Sequence, residues 1–156
     1  MCVSGNNRIL FYPSGQNTAV YVYGQANSWT SSSSSAGAGG LGGPAALALD
    51  AQGNLYAADF NNHRVLVYPA PVAGGAAAAS TTAGVVYGQA DFASISSNKG
   101  SSTNTPSASS MWRPAGLVVD GSGNLYVADG ANNRVLNFPV GQTNGAQAAT
   151  RVYGQF

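Results

Sequence analysis

Glutamate is absent from this chain of 156 residues, and lysine and histidine occur once each, as Lys99 and His63. Charged residues make up 7% of the sequence, against about 25% in an average soluble domain. The formal net charge is +1, so there is no strong field to draw in a phosphate backbone or an anionic bilayer, and neither nucleic acid nor membrane is an expected partner. Cys2 is the single cysteine, which excludes a disulfide within the chain and a cysteine-based zinc site built by one copy. No run of 18 apolar residues occurs, so no spanning helix is expected. The opening Met1-Cys2-Val3-Ser4-Gly5 lacks the charged and apolar regions of a secretory signal. Lipid modification of Cys2 would need a preceding apolar stretch that this opening lacks, so Cys2 reads as a small strand residue.

What the chain has instead is repetition. PAALALDAQGNLYAADFNNHRVLVYP, from Pro44 to Pro69, aligns without gaps on PAGLVVDGSGNLYVADGANNRVLNFP, from Pro114 to Pro139, at a constant offset of 70. A partial copy, SGNNRILFYP, runs from Ser4 to Pro13. Each copy is followed by a second block: VYVYGQ ending at Gln25, GVVYGQ ending at Gln89, and RVYGQ ending at Gln155. The spacing from the repeated arginine to the tyrosine of YGQ varies, being 15, 23 and 19 residues. Length variation at one place in a repeat marks a loop.

Within a copy, short runs of Val, Leu, Tyr and Phe are bounded by Gly, Asn, Asp and Pro, which is strand patterning. Four strands per copy are expected: 46–49 (117–119), 55–58 (125–128), 64–68 (134–138) and 85–87 (152–153). Asp50-Ala51-Gln52-Gly53-Asn54 and Asp120-Gly121-Ser122-Gly123-Asn124 carry turn chemistry between the first two. Each copy therefore predicts an antiparallel four-stranded meander. A single such sheet cannot bury both apolar faces, so copies must stack around an axis, which makes the expected fold an all-β propeller stretch. Small residues at Ala57, Ala58, Gly116 and Ala128 would let neighbouring sheets approach closely.

The pattern DxxGNLYVADxxNNRVLxFP closely resembles the NHL repeat, in the variety of bacterial multi-repeat proteins that also carry a VYGQ-like strand. That resemblance covers nearly all of the chain apart from its Ser-rich inserts, and it implies a β-propeller, usually of six blades. Here about two and a half blades are expected, an incomplete ring when alone: a partial blade at 1–27, a Ser/Gly-rich loop at 28–43, a full blade at 44–92, a Ser/Thr-rich loop at 93–111 and a full blade at 112–156. Strands three and four of the first blade plus two full blades come to ten strands, and Met1-Cys2-Val3 falls where the end of strand two belongs. The chain thus reads as opening inside a blade, with the missing edge supplied by copies of itself or by the remaining blades of a longer parent.

Candidate chemistry is sparse. Asp59 with Arg64 and Asp129 with Arg134 recur in register, and Arg8 holds the same arginine position in the partial copy. These read as turn-fixing pairs and not as catalysts, because catalytic groups are typically unique to one blade. His63 stands where the other copies have Asn7 and Asn133, so it fills an interchangeable turn position. Amidating lyases that share the NHL fold gather several histidines around zinc, and the related lactonases gather acidic and Asn ligands around calcium; this chain matches neither set. No Gly-x-Ser-x-Gly elbow occurs. No catalytic residue, cofactor or metal is therefore expected.

Aromatics at matched places (Tyr12, Tyr68, Phe138; Tyr23, Tyr87, Tyr153) favour packing between blades. Trp112, whose counterpart is Gly42, breaks the pattern and with Arg113 and Trp29 is the candidate interaction set. The inserts 28–43 and 94–110 are expected as exposed loops with little packing, either linkers or O-glycosylated tracts. The leading functional expectation is a non-enzymatic, extracellular or cell-surface scaffold that self-associates through its blade edges, completing a ring or forming a filament, and offers its loops to protein or glycan. The alternative is a fragment of a larger propeller enzyme or sensor whose active site lies in other blades.

Overall fold

A computed structural model of the chain describes residues 2–26, 28–70, 81–101, 105–141 and 147–154. Eleven strands occur among them, and no α-helix: β1 Cys2–Val3, β2 Arg8–Phe11, β3 Tyr21–Tyr23, β4 Pro44–Leu49, β5 Leu55–Asp59, β6 Arg64–Tyr68, β7 Val85–Tyr87, β8 Pro114–Val119, β9 Leu125–Asp129, β10 Arg134–Phe138 and β11 Arg151–Tyr153. They form three antiparallel meanders, β1-β2-β3, β4-β5-β6-β7 and β8-β9-β10-β11. These are partial propeller blades and no closed ring, as the sequence predicts. The strand count exceeds ten because Cys2 and Val3 pair with Ile9 and Arg8.

Two strand starts lie earlier than the pattern suggests. Pro44 pairs with Asp59 and Pro114 with Asp129, each with an irregular step before the next pair. Proline tolerates the first position of a strand, where no ladder donor is required of it. Between the first two strands of each full blade, Asp50 Oδ1 accepts from the N–H groups of Gln52 and Asn54 at 3.0 and 2.8 Å. Asp120 does the same for Ser122 and Asn124 at 2.9 and 2.8 Å. These Asx turns are what the Asp-x-x-Gly-Asn pattern encodes.

The blades pack face to face, and alternation along β6 shows how. Leu66 and Tyr68 join Ile9 and Tyr23 of the first blade, with Leu41, Ala57 and Val86, in one apolar cluster. Val65 and Val67, pointing the other way, join Leu125, Val127, Leu136 and Phe138 of the third blade in a second. β6 is therefore buried at every position; burying each such Val or Leu contributes about 1.5–3 kcal/mol. One aromatic pair crosses each interface edge to face: Tyr23 with Tyr68 and Tyr87 with Phe138, both at 5.0 Å between centroids.

The glycine of YGQ has a defined reason. Gly24 and Gly88 lie at φ +92° and +88°, and a Cβ at Gly88 would stand 2.9 Å from Met111 Cγ, at Gly24 2.8 Å from Leu41 Cβ. Both the backbone and the close approach of the next blade exclude a side chain there.

The inserts differ from the loosely packed loops expected. Leu41 and Met111 are fully buried, and backbone carbonyls of Ser35, Gly37, Gly40, Ser107 and Ser110 accept hydrogen bonds from blade side chains. Small residues permit this because nothing shields their carbonyls from an incoming guanidinium or amide.

Tyr68 is fully buried, its hydroxyl has no hydrogen-bond partner among the described residues, and burial raises its pKa. Phe138 occupies the same place in the next blade without a hydroxyl. Tyr68→Phe should raise stability by about 1 kcal/mol, seen as a higher denaturation midpoint at constant m; a midpoint that stays put or drops counts against this account.

Candidate functional site

Each full blade carries one buried polar lock at the turn between its second and third strands. Asp59 ends β5, Arg64 opens β6, and residues 60–62 form a single 3-10 turn closed by His63 at φ 56°. The third blade repeats it with Asp129, residues 130–132, Asn133 at φ 52° and Arg134. Non-glycine residues adopt this left-handed conformation most readily when they are Asn, Asp or His, which accounts for Asn7, His63 and Asn133 sharing one position.

Arg64 Nε donates to Asp59 Oδ2 at 2.7 Å, with both side chains fully buried, and Arg134 Nε to Asp129 Oδ2 at 2.8 Å. The rest of the Arg64 guanidinium donates to the carbonyls of Phe92, Gly37 and Gly40; Arg134 Nη2 donates to those of Ser107 and Ser110. The second Asp oxygen holds the entry to the first strand: the Gly42 N–H donates to Asp59 Oδ1 at 2.6 Å and the Trp112 N–H to Asp129 Oδ1 at 2.7 Å. Asn62 and Asn132 each donate to their Asp at 2.9 and 2.8 Å. Burial pushes the Asp59 carboxyl up from its ordinary value, against the pull of Arg64, Gly42 and Asn62. The pair is therefore a positioning device more than a source of net stability.

A second set of bonds joins one blade to the next. The Gly43 N–H donates to Asn7 Oδ1 at 2.7 Å, and the Arg113 N–H to His63 Nδ1 at 3.3 Å. Gln25 Nε2 donates to Asn7 O and Ser33 O at 2.7 and 3.0 Å, while Gln89 Nε2 donates to His63 O and Ser96 O at 3.2 and 2.8 Å. The glutamine of YGQ thus clamps the turn of its own blade to the following insert.

The candidate interaction residues do not form one cluster. Trp29 offers its carbonyl to Arg8 Nη1 at 2.6 Å, with 48% of the residue exposed. Trp112 enters the third-blade lock through its backbone. Arg113 lies beside it at φ 56°, where Gly43 stands at φ 61° in the second blade, and its guanidinium sits 5.6 Å from the centre of the Phe60 ring. The two tryptophans therefore hold different places in the repeat: the Trp29 carbonyl meets Arg8 as that of Phe92 meets Arg64, and the Trp112 N–H meets Asp129 as that of Gly42 meets Asp59. Sequence reasoning missed Asn62 and Asn132 in the locks, Gln25 and Gln89 as the clamps beside them, and Leu41 and Met111 as buried core residues. The repeated Asn-Asn/His-Arg and YGQ blocks carried the signal for the polar ones, whereas Leu41 and Met111 sit at the ends of variable inserts.

Among the described residues, no group of three or more His, Cys, Asp or Glu side chains gathers as a metal site would require, and no helix is long and apolar enough to cross a membrane.

Three stacked antiparallel meanders with one repeated turn lock define a stretch of propeller blades. The NHL repeat family model matches residues 41–68 and 111–138, and each match begins at the buried Leu41 or Met111 and ends with β6 or β10. Over these two stretches the chain is similar to the NHL repeat. No curated protein matches it.

Removing the Asp59 carboxylate leaves Arg64 buried and uncompensated, so Asp59→Ala is expected to cost about 3 kcal/mol in denaturant unfolding; a loss under about 1 kcal/mol would mean the pair is not buried as described.

His63 titrates below its ordinary value of 6.5, first because it is partly buried and second because Arg113 is near, with Asp129 and the Phe60 backbone opposing. A base whose folded pKa is depressed stabilises the fold above its unfolded pKa, and that contribution is lost as pH falls through the folded value. Between pH 7.5 and 5 the chain should therefore lose more thermal stability than His63→Asn, whose Asn cannot take up the proton; equal losses in the two proteins contradict this.

Proposed function

We propose that the chain is a non-enzymatic NHL-repeat scaffold, of the bacterial multi-repeat variety with a VYGQ strand, that self-associates through its blade faces and presents its loops to protein or glycan. One observation carries the reading. Val65 and Tyr87 are 0% and 5% exposed because the third blade covers them, whereas their equivalents in the third blade, Val135 and Tyr153, are 36% and 46% exposed. Val118 on β8 is 60% exposed. An apolar sheet face of this kind marks an interaction surface. Asn133 is exposed in the same left-handed turn position from which Asn7 and His63 accept a bond from the following blade.

The next blade would be supplied by another copy or by further blades of a longer parent. Where head-to-tail supply closes, the product is a ring; where it does not, it is a filament. The Ser-rich inserts and the exposed Trp29 and Arg113 supply the loop surface. A low charge and abundant Ser, Thr and Gly suit an extracellular or cell-surface location.

Light scattering across a concentration series, with imaging of the associated material, tests the reading. Association that rises with concentration and is weakened at least about tenfold by Tyr153→Glu is expected; a folded, dispersed 15.6 kDa monomer at every concentration would overturn it.

A further inference from the structure

The second and third blades share one backbone arrangement beside the lock and exchange side chains on it. In the second blade the Asn61 N–H donates to the Gly42 carbonyl at 2.9 Å, and in the third the Ala131 N–H donates to the Trp112 carbonyl at 3.0 Å. The second blade carries Phe60-Asn61 in its turn and Gly42-Gly43 at its strand entry, whereas the third carries Gly130-Ala131 and Trp112-Arg113. A Cβ at Gly43 would stand 2.6 Å from Asn61 Nδ2. A side chain at this entry therefore needs a smaller turn residue, which the third blade has in Ala131.

Arg113 keeps its side chain against the preference of its backbone. Its φ is 56°, a conformation natural to glycine, tolerated by Asn, Asp and His, and costly for other residues. Strain retained in this way points to a task for the side chain. The guanidinium reaches across to the second blade, 5.6 Å from the centre of the Phe60 ring, and at an exposed site such a contact is weak.

The second observation is electrostatic. The chain has five acidic residues, all aspartate, and none is left for Arg113. Asp59 and Asp129 hold Arg64 and Arg134, Asp50 and Asp120 close Asx turns, and Asp91 accepts from the N–H groups of Ala93 and Ser94. Arg113 is exposed and makes no ion pair among the described residues. Its charge is felt next door: after burial, Arg113 is the cause that lowers the titration of His63, with Asp129 and the Phe60 backbone opposing. Phe60, His63 and Arg113 thus form one patch, part apolar and part positive, where two complete four-stranded blades meet.

We propose that this patch binds an acidic peptide segment of a partner protein, with a carboxylate on the Arg113 guanidinium and a neighbouring apolar side chain on Phe60. A planar guanidinium takes a carboxylate through two parallel hydrogen bonds. Charge complementarity selects an anionic partner, because the chain has no carboxylate of its own to place there. The inference deepens the scaffold reading and rests only on its offering loops to protein, not on self-association.

His63 is the single histidine, so one imidazole NMR resonance reports on the patch. The full chain, below its association concentration, is titrated with the capped peptides acetyl-GSEFSG-amide and acetyl-GSQFSG-amide. Saturable movement of the His63 resonance is expected with the first and about tenfold weaker binding with the second, the worth of one charge-assisted contact. With the first peptide bound, the midpoint of the His63 titration should move up, because a nearby anion favours the imidazolium. Arg113→Gly installs the residue found at Gly43; it should abolish the preference between the peptides without lowering the thermal midpoint, since it relieves the backbone.

Absence of saturable movement, equal affinity for the two peptides, a His63 midpoint that stays put, or a preference that survives Arg113→Gly overturns the proposal. So does a lower thermal midpoint in Arg113→Gly with unchanged peptide affinity, which would make Arg113 a packing residue. If no peptide binds and Arg113→Gly weakens self-association instead, the occupant is a second copy and the proposal falls. A chain that oligomerises without binding peptide loses only this inference, and a monomer that binds peptide loses only self-association.

Discussion

Sheets that are apolar on both faces cannot stand alone in water, and this constraint shapes the whole molecule. In the middle blade the demand is met, with Leu66 and Tyr68 under the first blade and Val65 and Val67 under the third. At the ends it is met only in part, and Val135 and Tyr153 remain open. The same argument that explains the stability of the centre accounts for which apolar side chains stay exposed. Stability in such an array is a sum of blade and interface terms.

Polar groups do the complementary work of orienting the blades. With so few charges, the chain concentrates them at one recurring turn, where each Asp–Arg pair binds carbonyls of the preceding or following insert. The inserts vary in sequence and length, yet the lock needs only their backbone oxygens, so variation there is tolerated. The left-handed turn residue extends this logic across the interface by accepting a backbone N–H from the next blade, through Oδ1 of Asn7 or Nδ1 of His63. Shape from the apolar faces and register from the polar turn are thus separable.

Much of this was legible in the residues. The 70-residue offset, the Asp-x-x-Gly-Asn turns and the Val/Leu/Tyr runs led to meanders whose interior pairing matches β5, β6 and β7 closely. The matched aromatics pointed to inter-blade packing, and Tyr23 with Tyr68 and Tyr87 with Phe138 meet there. Less legible were the inserts. Gly, Ser and Ala have no side-chain signal that distinguishes an exposed linker from a segment whose carbonyls are held by a buried arginine. Leu41 and Met111 were unreadable for a related reason, because a lone apolar residue in a low-complexity tract has no periodicity to mark it.

The sequence by itself determined the strands, their turns and the repeat, because these depend on contacts between residues near in the chain and on a period that recurs. It also determined that arginine and aspartate share a turn. Only the tertiary structure decided which faces are covered and which are open, and that the inserts close the locks. Those facts depend on which distant segments meet and what fills the space between them.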